Sequence, residues 1–345
     1  MKSLCVFTLY SENGPSSQYR AYIFKSKFEK QFDVKFYNFW TDKYTRIYMY
    51  DKKKYLFHIV ITYIFCFMRR LYQLYFIASK KDIIFFQKAV IPKVYFTFCS
   101  HLKKNGKKIV YDVDDAVYTY NKDNSSRIAF ESDVVICGNA TLQTFYSQYC
   151  DKCFIIPTVE NTEEYIPYWN NTFNEKIIGW IGSKTTIDNL DLIIDSLNRL
   201  IKKHDDIKFY IISNDDKGYC EKIKNSKFIK WEKNTYKQYL AQFSIGVMPL
   251  KLTEMTKGKC GFKLVQYLNM KKPVIGSDVG VNKSIIGSCG IVISNQNDWE
   301  NALESLLYNE NLYNKFINNI DNDFLQRYSF DTVSNELIKL LIETI

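Results

Sequence analysis

The order in which short apolar runs alternate with longer amphipathic stretches constrains this chain more than any other feature of its 345 residues. Runs rich in β-branched and aromatic residues, "LCVFTLY", "VKFYNFW", "DIIFFQ", "KIVYDV", "DVVICG" and "CFIIP", end near Pro157. After a polar, asparagine-rich stretch a second series follows: "KIIGWIG", "IKFYIIS", "KFIKW", "SIGVMPL", "KPVIGS" and "GIVIS". Between them lie segments such as "TIDNLDLIIDSLNRLIKKHDD", with apolar residues at helical spacing. Strands that alternate with helices build parallel sheets covered on both faces. The expected fold is therefore α/β, as two similar doubly wound, Rossmann-like halves. The expected domains are 1–165 and 175–325, with a closing helix over 326–345. For that helix, in "SFDTVSNELIKLLIETI", Ser329 or Asp331 is the expected N-cap.

A chain of this length exceeds one ordinary core, which agrees with two domains. Its net charge of +10 favours anionic partners, but the basic residues are spread through the chain and form no K/R-rich run. Nucleic acid is accordingly not an expected partner. Nine cysteines in no framework spacing suit a reducing compartment, and "CDKC", Cys150 to Cys153, has no second pair to complete a zinc site. His58, His101 and His204 stand apart, and no metal is expected. The start, "MKSLCVFTLYSENG", reads as a strand, not as a secretory signal. The most apolar stretch, residues 56 to 78, is interrupted by His58 and by Arg69 and Arg70 before the roughly 20 residues that a spanning helix needs. It reads either as a helix resting on an anionic membrane surface or as a buried core helix of the first half.

Doubly wound domains bind ligands at the carboxyl ends of their strands, so the loops there are where chemistry is expected. In "IGWIGSKTT" the run Gly182, Ser183, Lys184 falls short of a P-loop, because Ser183 separates glycine from lysine. What remains is a strand, a tight turn and a helix N-terminus suited to an anion, unless Gly179 and Gly182 serve only the turn. "KLTEMTKGKCG" leads from a strand into a helix beginning near Phe262. There Gly258 and Gly261 let backbone approach a ligand, and Lys259 and Lys263 match the two charges of a diphosphate. A solvated basic loop is the alternative. Gln266 lies one helical turn beyond Lys263. In the first half, "VYDVDDAVY" ends a strand with Asp112, Asp114 and Asp115, able to meet sugar hydroxyls or, for Asp115, to cap a helix. "ENGPSSQYR" sets Gly14, Ser16 and Ser17 at a helix entrance, with Arg20 a turn inside.

Taken in order, "GPSSQYR", "VYDVDDAVY", "DVVICGNATL" with "IIPTVEN", "IGWIGS", "IGVMPL" and "KGKCGFKLVQYLNMKKPVIGSDVGVN" resemble retaining glycosyltransferases of the GT-B fold, of the glycosyltransferase family 4 type. They are most similar to a bacterial polysaccharide-biosynthesis subgroup. The resemblance implies two Rossmann-like domains facing a central cleft, with the second holding the nucleotide and the final helix crossing back to brace the first. It also implies transfer of a sugar, with retention and without cofactor or metal, from a nucleotide diphosphate sugar, UDP or GDP foremost. The acceptor would be a glycan or lipid-linked hydroxyl, and the place the cytoplasmic, inner face of the plasma membrane.

Carried over position by position, the resemblance makes Asp114, Lys259 and Lys263 catalytic, with both lysines stabilising the leaving diphosphate. It makes Gly14, Gly182, Ser183, Lys184, Gly258, Gly261, Phe262 and Gln266 donor-binding, and it puts Ser16, Ser17, Arg20 and Asp115 on the acceptor side. The chain departs from the pattern where Gly258 and Gln266 replace two glutamates eight positions apart, and where Ser183 and Lys184 replace an arginine. Rival readings are a non-catalytic nucleotide- or glycan-binding subunit and a nucleotide-sugar epimerase, the latter needing acid–base groups that the sequence does not supply.

Overall fold

The computed structural model of the chain describes residues 1–49, 51–120 and 123–344. It divides into two compact units: unit 1 holds Met1–Thr158, Gly258–Cys260 and the chain from Val333 onward, and unit 2 holds Val159–Lys257 and Gly261–Thr332.

Every strand expected from the sequence forms. Unit 1 contains β1 (Ser3–Thr8), β2 (Asp33–Asn38), β3 (Ile83–Gln87), β4 (Lys108–Val113), β5 (Val134–Cys137) and β6 (Cys153–Ile155), ordered β2-β1-β3-β4-β5-β6. Unit 2 contains β7 (Ile177–Ile181), β8 (Lys208–Ser213), β9 (Ser226–Lys230), β10 (Ile245–Met248), β11 (Val274–Ser277) and β12 (Gly290–Ile293), ordered β12-β11-β10-β7-β8-β9. All pairings are parallel. Central strands such as β3, β7 and β10 are buried along their whole length, because helices cover both faces of a parallel sheet. The edge strands β2 and β9 carry Lys35, Lys227 and Lys230, charges that discourage a further strand from pairing there.

Two tyrosines and a buried arginine show how side chains lock these layers. Tyr267 accepts a hydrogen bond from the Ile181 N–H at 2.9 Å and donates to the Val247 carbonyl at 3.2 Å, so it joins β7 to β10. Tyr111 of β4 donates to the Lys88 carbonyl at 3.0 Å, just past the end of β3. Arg20 is buried and forms a bidentate pair with Asp112, while its Nη1 donates to the Ile156 carbonyl at 2.7 Å. Burial works against its charge, but Asp112 outweighs burial and pushes the Arg20 pKa above its ordinary value.

Of residues 56 to 78, one helical face packs on the core as expected of a core helix, and the other is left exposed. The helix Leu56–Tyr72 packs Ile59, Tyr63, Cys66 and Phe67 on the unit 1 core. Arg69 and Arg70 also turn inward. Arg69 donates to the carbonyls of Asn38 and Phe39, and Arg70 donates to those of Thr8 and Tyr37 while lying 4.5 Å from the Phe7 ring. The opposite face is exposed and apolar. The closing helix spans Phe330–Glu343, and Ser329 is its cap, its Oγ accepting from the Thr332 N–H at 3.1 Å.

Candidate active site

In unit 1 the side chains of interest gather past the carboxyl ends of β1, β3 and β4, which are adjacent in the sheet. β4 ends at Val113, so Asp112 stays in the sheet against Arg20 while Asp114 and Asp115 follow it. The Asp115 carboxylate takes no capping role. Its Oδ2 lies 2.6 Å from Lys88 Nζ and its Oδ1 lies 3.1 Å from Lys259 Nζ. Burial alone would raise its pKa, but the two ammonium groups win and hold it below the ordinary aspartate range. Burial disfavours the charge on each lysine as well, and Asp115 overcomes it, so both are raised.

Asp114 meets the opposite balance. It is buried, and desolvation pushes its pKa up to about 6, only partly opposed by Lys88. Among the described residues its Oδ1 has no hydrogen-bond partner, and neither do Ser16 Oγ and Gln87 Nε2. Buried polar atoms are nearly always satisfied, so a set of unmet ones at strand ends marks a place for a polar ligand. Asp114 can trade a proton near neutral pH or accept one from a hydroxyl.

Lys88 and Asn139 were not among the residues singled out from the sequence. Lys88 directly follows β3 and has φ 68, a left-handed conformation uncommon for a side chain of its length. Its N–H donates to the Asp112 carbonyl at 2.8 Å, which holds this turn against β4. Asn139 caps the helix Ala140–Tyr146 through its Oδ1, and its Nδ2 donates to the carbonyls of Gly258 and Lys259, both at 3.1 Å. The available signal was position: each stands within two residues of a strand's carboxyl end, where doubly wound sheets place their sites.

The glycines have separate physical reasons. A Cβ on Gly258 would lie 2.6 Å from Ala116 Cβ, so a glutamate at this position would require the backbone to move. A Cβ on Gly14, N-cap of the helix Pro15–Arg20, would lie 2.3 Å from Tyr10 Cβ. Ser17 of that helix accepts from the Tyr10 N–H at 3.0 Å and donates to Gln87 Oε1 at 2.9 Å. Arg20, expected on the acceptor side, is buried instead as the partner of Asp112.

In unit 2 the structure brings Gly182 and Lys263 together. Lys263 Nζ sits 5.4 Å from the Trp180 ring centroid, and a Cβ on Gly182 would come within 2.7 Å of Lys263 Cε. The helix Phe262–Asn269 starts at Gly261, whose φ of 65 and closeness to Ile285 exclude a side chain. Gln266 is buried on the same helix. The turn after β7 differs from expectation in leading into a 3-10 helix, Ile187–Leu192, and the Lys184 N–H is already taken by Asn214 Oδ1 at 3.0 Å. Ser183 is exposed and pairs with the Thr185 hydroxyl at 2.7 Å. Among the described residues no group of three or more His, Cys, Asp or Glu side chains has a metal-binding arrangement.

Residues 175–309 match a family model described as glycosyl transferases group 1. No curated protein matches the chain by sequence. Among solved structures, a glycosyltransferase from Rickettsia africae superposes with a TM-score of 0.71 at 13% identity, over 99% of this chain and 98% of that one. HepE from Anabaena, in complex with UDP and glucose, gives 0.66 at 12% identity, over 99% and 100%. TarM from S. aureus gives 0.61 at 18% identity over 79% of this chain, which spans 57% of the TarM chain. These findings establish a two-domain α/β GT-B fold whose residues 175–309 match a group 1 glycosyl transferase domain.

Proposed function

We propose that this protein is a metal-independent, retaining glycosyltransferase that moves a sugar from a nucleotide diphosphate sugar to a hydroxyl of a glycan or lipid-linked acceptor. Surface polysaccharide or glycoconjugate synthesis at the inner face of the plasma membrane is the setting we propose. The observation that carries the reading is the seating of Lys263 against Trp180 and Gly182, within the segment that matches the family model. A cation held at a helix N-terminus beside a side-chain-free turn suits a departing diphosphate, because it stabilises charge that develops only as the bond breaks.

UDP is the first nucleotide to test, because HepE is described with UDP and UDP-glucose and TarM with UDP. We assign Lys259 and Lys263 together to leaving-group stabilisation, Lys259 while it shares Asp115 with Lys88. Asp114 is assigned to a sugar or acceptor hydroxyl through its unmet Oδ1.

Donor hydrolysis and transfer measured across UDP-, GDP- and ADP-sugars test the reading, with the product anomer read by NMR and the rate repeated in chelator. Turnover with one donor class, a retained anomer and an unchanged rate in chelator support it. Binding without turnover for every donor would assign the fold to a non-catalytic subunit.

A further inference from the structure

The helix Leu56–Tyr72 is apolar on both faces. Its inner face lies on the unit 1 core, yet Phe57, Ile61, Ile64, Phe65 and Met68 on the outer face are each more than half exposed. Phe76, a further turn on, and Phe96, in the neighbouring segment, extend the same character. Phe96 is tied to this helix through Phe98, whose ring meets Phe67 edge-on at 6.1 Å. A helix that is hydrophobic all round belongs in a core or in lipid, and an exposed run of large apolar side chains along one face marks an interaction surface.

Charge identifies the occupant. Between Asp51 and Asp112 the only acidic residue is Asp82, whereas Lys52, Lys53 and Lys54 precede the helix and Lys80 follows it, Lys81 being paired with Asp33 at 2.9 Å. Beside the stripe a cleft of about 420 Å³ is lined by Tyr75, Phe96, His101, Lys104 and Arg127, with Glu131 as its acid. That carboxylate is already engaged by Ser100 at 2.8 Å and by Thr97. A second copy of the chain docked through the same face would set lysines against lysines with no acid on the helix to receive them. Among the described residues no helix is long and apolar enough to cross a membrane.

We propose that this face is a bilayer-docking surface: the helix lies in the interface of an anionic membrane, with its outer side chains among the acyl chains and the flanking lysines at the headgroups. Arg69 and Arg70 are spent on backbone carbonyls and take no part. The proposal does not rest on the transfer reaction, because membrane binding is read without donor or acceptor.

The test is co-sedimentation of the full chain with vesicles of phosphatidylcholine alone and of phosphatidylcholine mixed with phosphatidylglycerol. Partition should be at least about tenfold stronger on the anionic vesicles and should fall with salt. Ile61→Asp with Phe65→Asp should abolish it at unchanged melting temperature, and Lys52→Glu with Lys53→Glu and Lys54→Glu should weaken it. In Phe65→Trp, emission should shift to the blue on anionic vesicles and be quenched by brominated acyl chains. Equal partition on neutral vesicles, a tryptophan that stays in water, or unaltered binding by the double aspartate variant would each overturn the proposal. Lipid-free self-association that the aspartates break would overturn it too, by assigning the stripe to a second copy.

Discussion

Lys259 Nζ stands 3.1 Å from Asp115 Oδ1, a residue 144 positions earlier in the chain. Within its own loop the acid Glu254 pairs with Lys257, so Lys259 takes its partner from just past β4, and the same Asp115 carboxylate binds Lys88. One carboxylate between two cations ties both side chains to the end of β4.

Neutralising Asp115 should loosen that arrangement. Asp115→Asn is expected to destabilise the protein by about 1–3 kcal/mol, the cost of stranding two partly buried ammonium groups. Because the folded pKa of Asp115 lies below its ordinary value, its contribution is present above that ordinary value and disappears as pH falls through the folded one. Urea midpoints of parent and variant should therefore converge in acid. Equal stability near neutrality would show that the lysines find other partners.

Asp114 should behave in the opposite sense. Its folded pKa of about 6 lies above the ordinary 3.8, so the folded chain keeps a proton that the unfolded chain gives up, and stability falls as pH rises across that window. Asp114→Asn removes the loss: it should be more stable than the parent by roughly 1–3 kcal/mol near neutral pH and equal to it below the window. Turnover should drop in the same variant, along with any inflection near pH 6. A parent and variant with parallel stability profiles would refute the assignment.

Lys263→Ala is expected to reduce turnover by at least about tenfold, or roughly 1.4 kcal/mol of transition-state stabilisation, with the fold intact. Lys259→Ala should cost less, since that ammonium is shared with Asp115. Gly182→Ala adds a methyl against Trp180 and the Lys263 arm, and donor affinity should weaken as the ammonium is displaced. Unchanged turnover in Lys263→Ala would sink the diphosphate role.

Arg20→Met leaves the Asp112 carboxylate buried and alone, which should cost about 3–5 kcal/mol. Arg20→Met combined with Asp112→Leu should cost clearly less than the two single changes added together, because neither charge is then stranded. Additive losses in chemical denaturation would mean that the pair contributes no coupling.

Much of this could be read before any coordinates. All twelve strands were legible: the central ones because parallel strands buried on both faces must be apolar along their whole length, and the edge ones from short β-branched and aromatic runs between amphipathic helices. The cap was legible as Ser329 or Asp331 from their place before an apolar periodic run, and the Thr332 N–H selects Ser329. The candidate site was legible only in part. Asp114, Asp115, Gly182 and Lys263 stood out as candidates by residue type at strand and helix ends. Lys88 and Asn139 did not, because a lone lysine or asparagine after a strand looks like any loop residue. The burial of Arg20 was not legible, because a guanidinium near a helix entrance gives no sign that Asp112 will bury it.

Sequence alone determined the repeating pattern of strand and helix, since hydrophobic periodicity is set by which backbone geometry can bury which side chains. Tertiary structure decided the charge pairing and the exposure: that Asp115 meets Lys259, that Asp114 is desolvated, and that one face of the helix Leu56–Tyr72 finds no protein to cover it. Those outcomes depend on distance and dielectric between residues far apart in the chain, and neither quantity exists until the chain has folded.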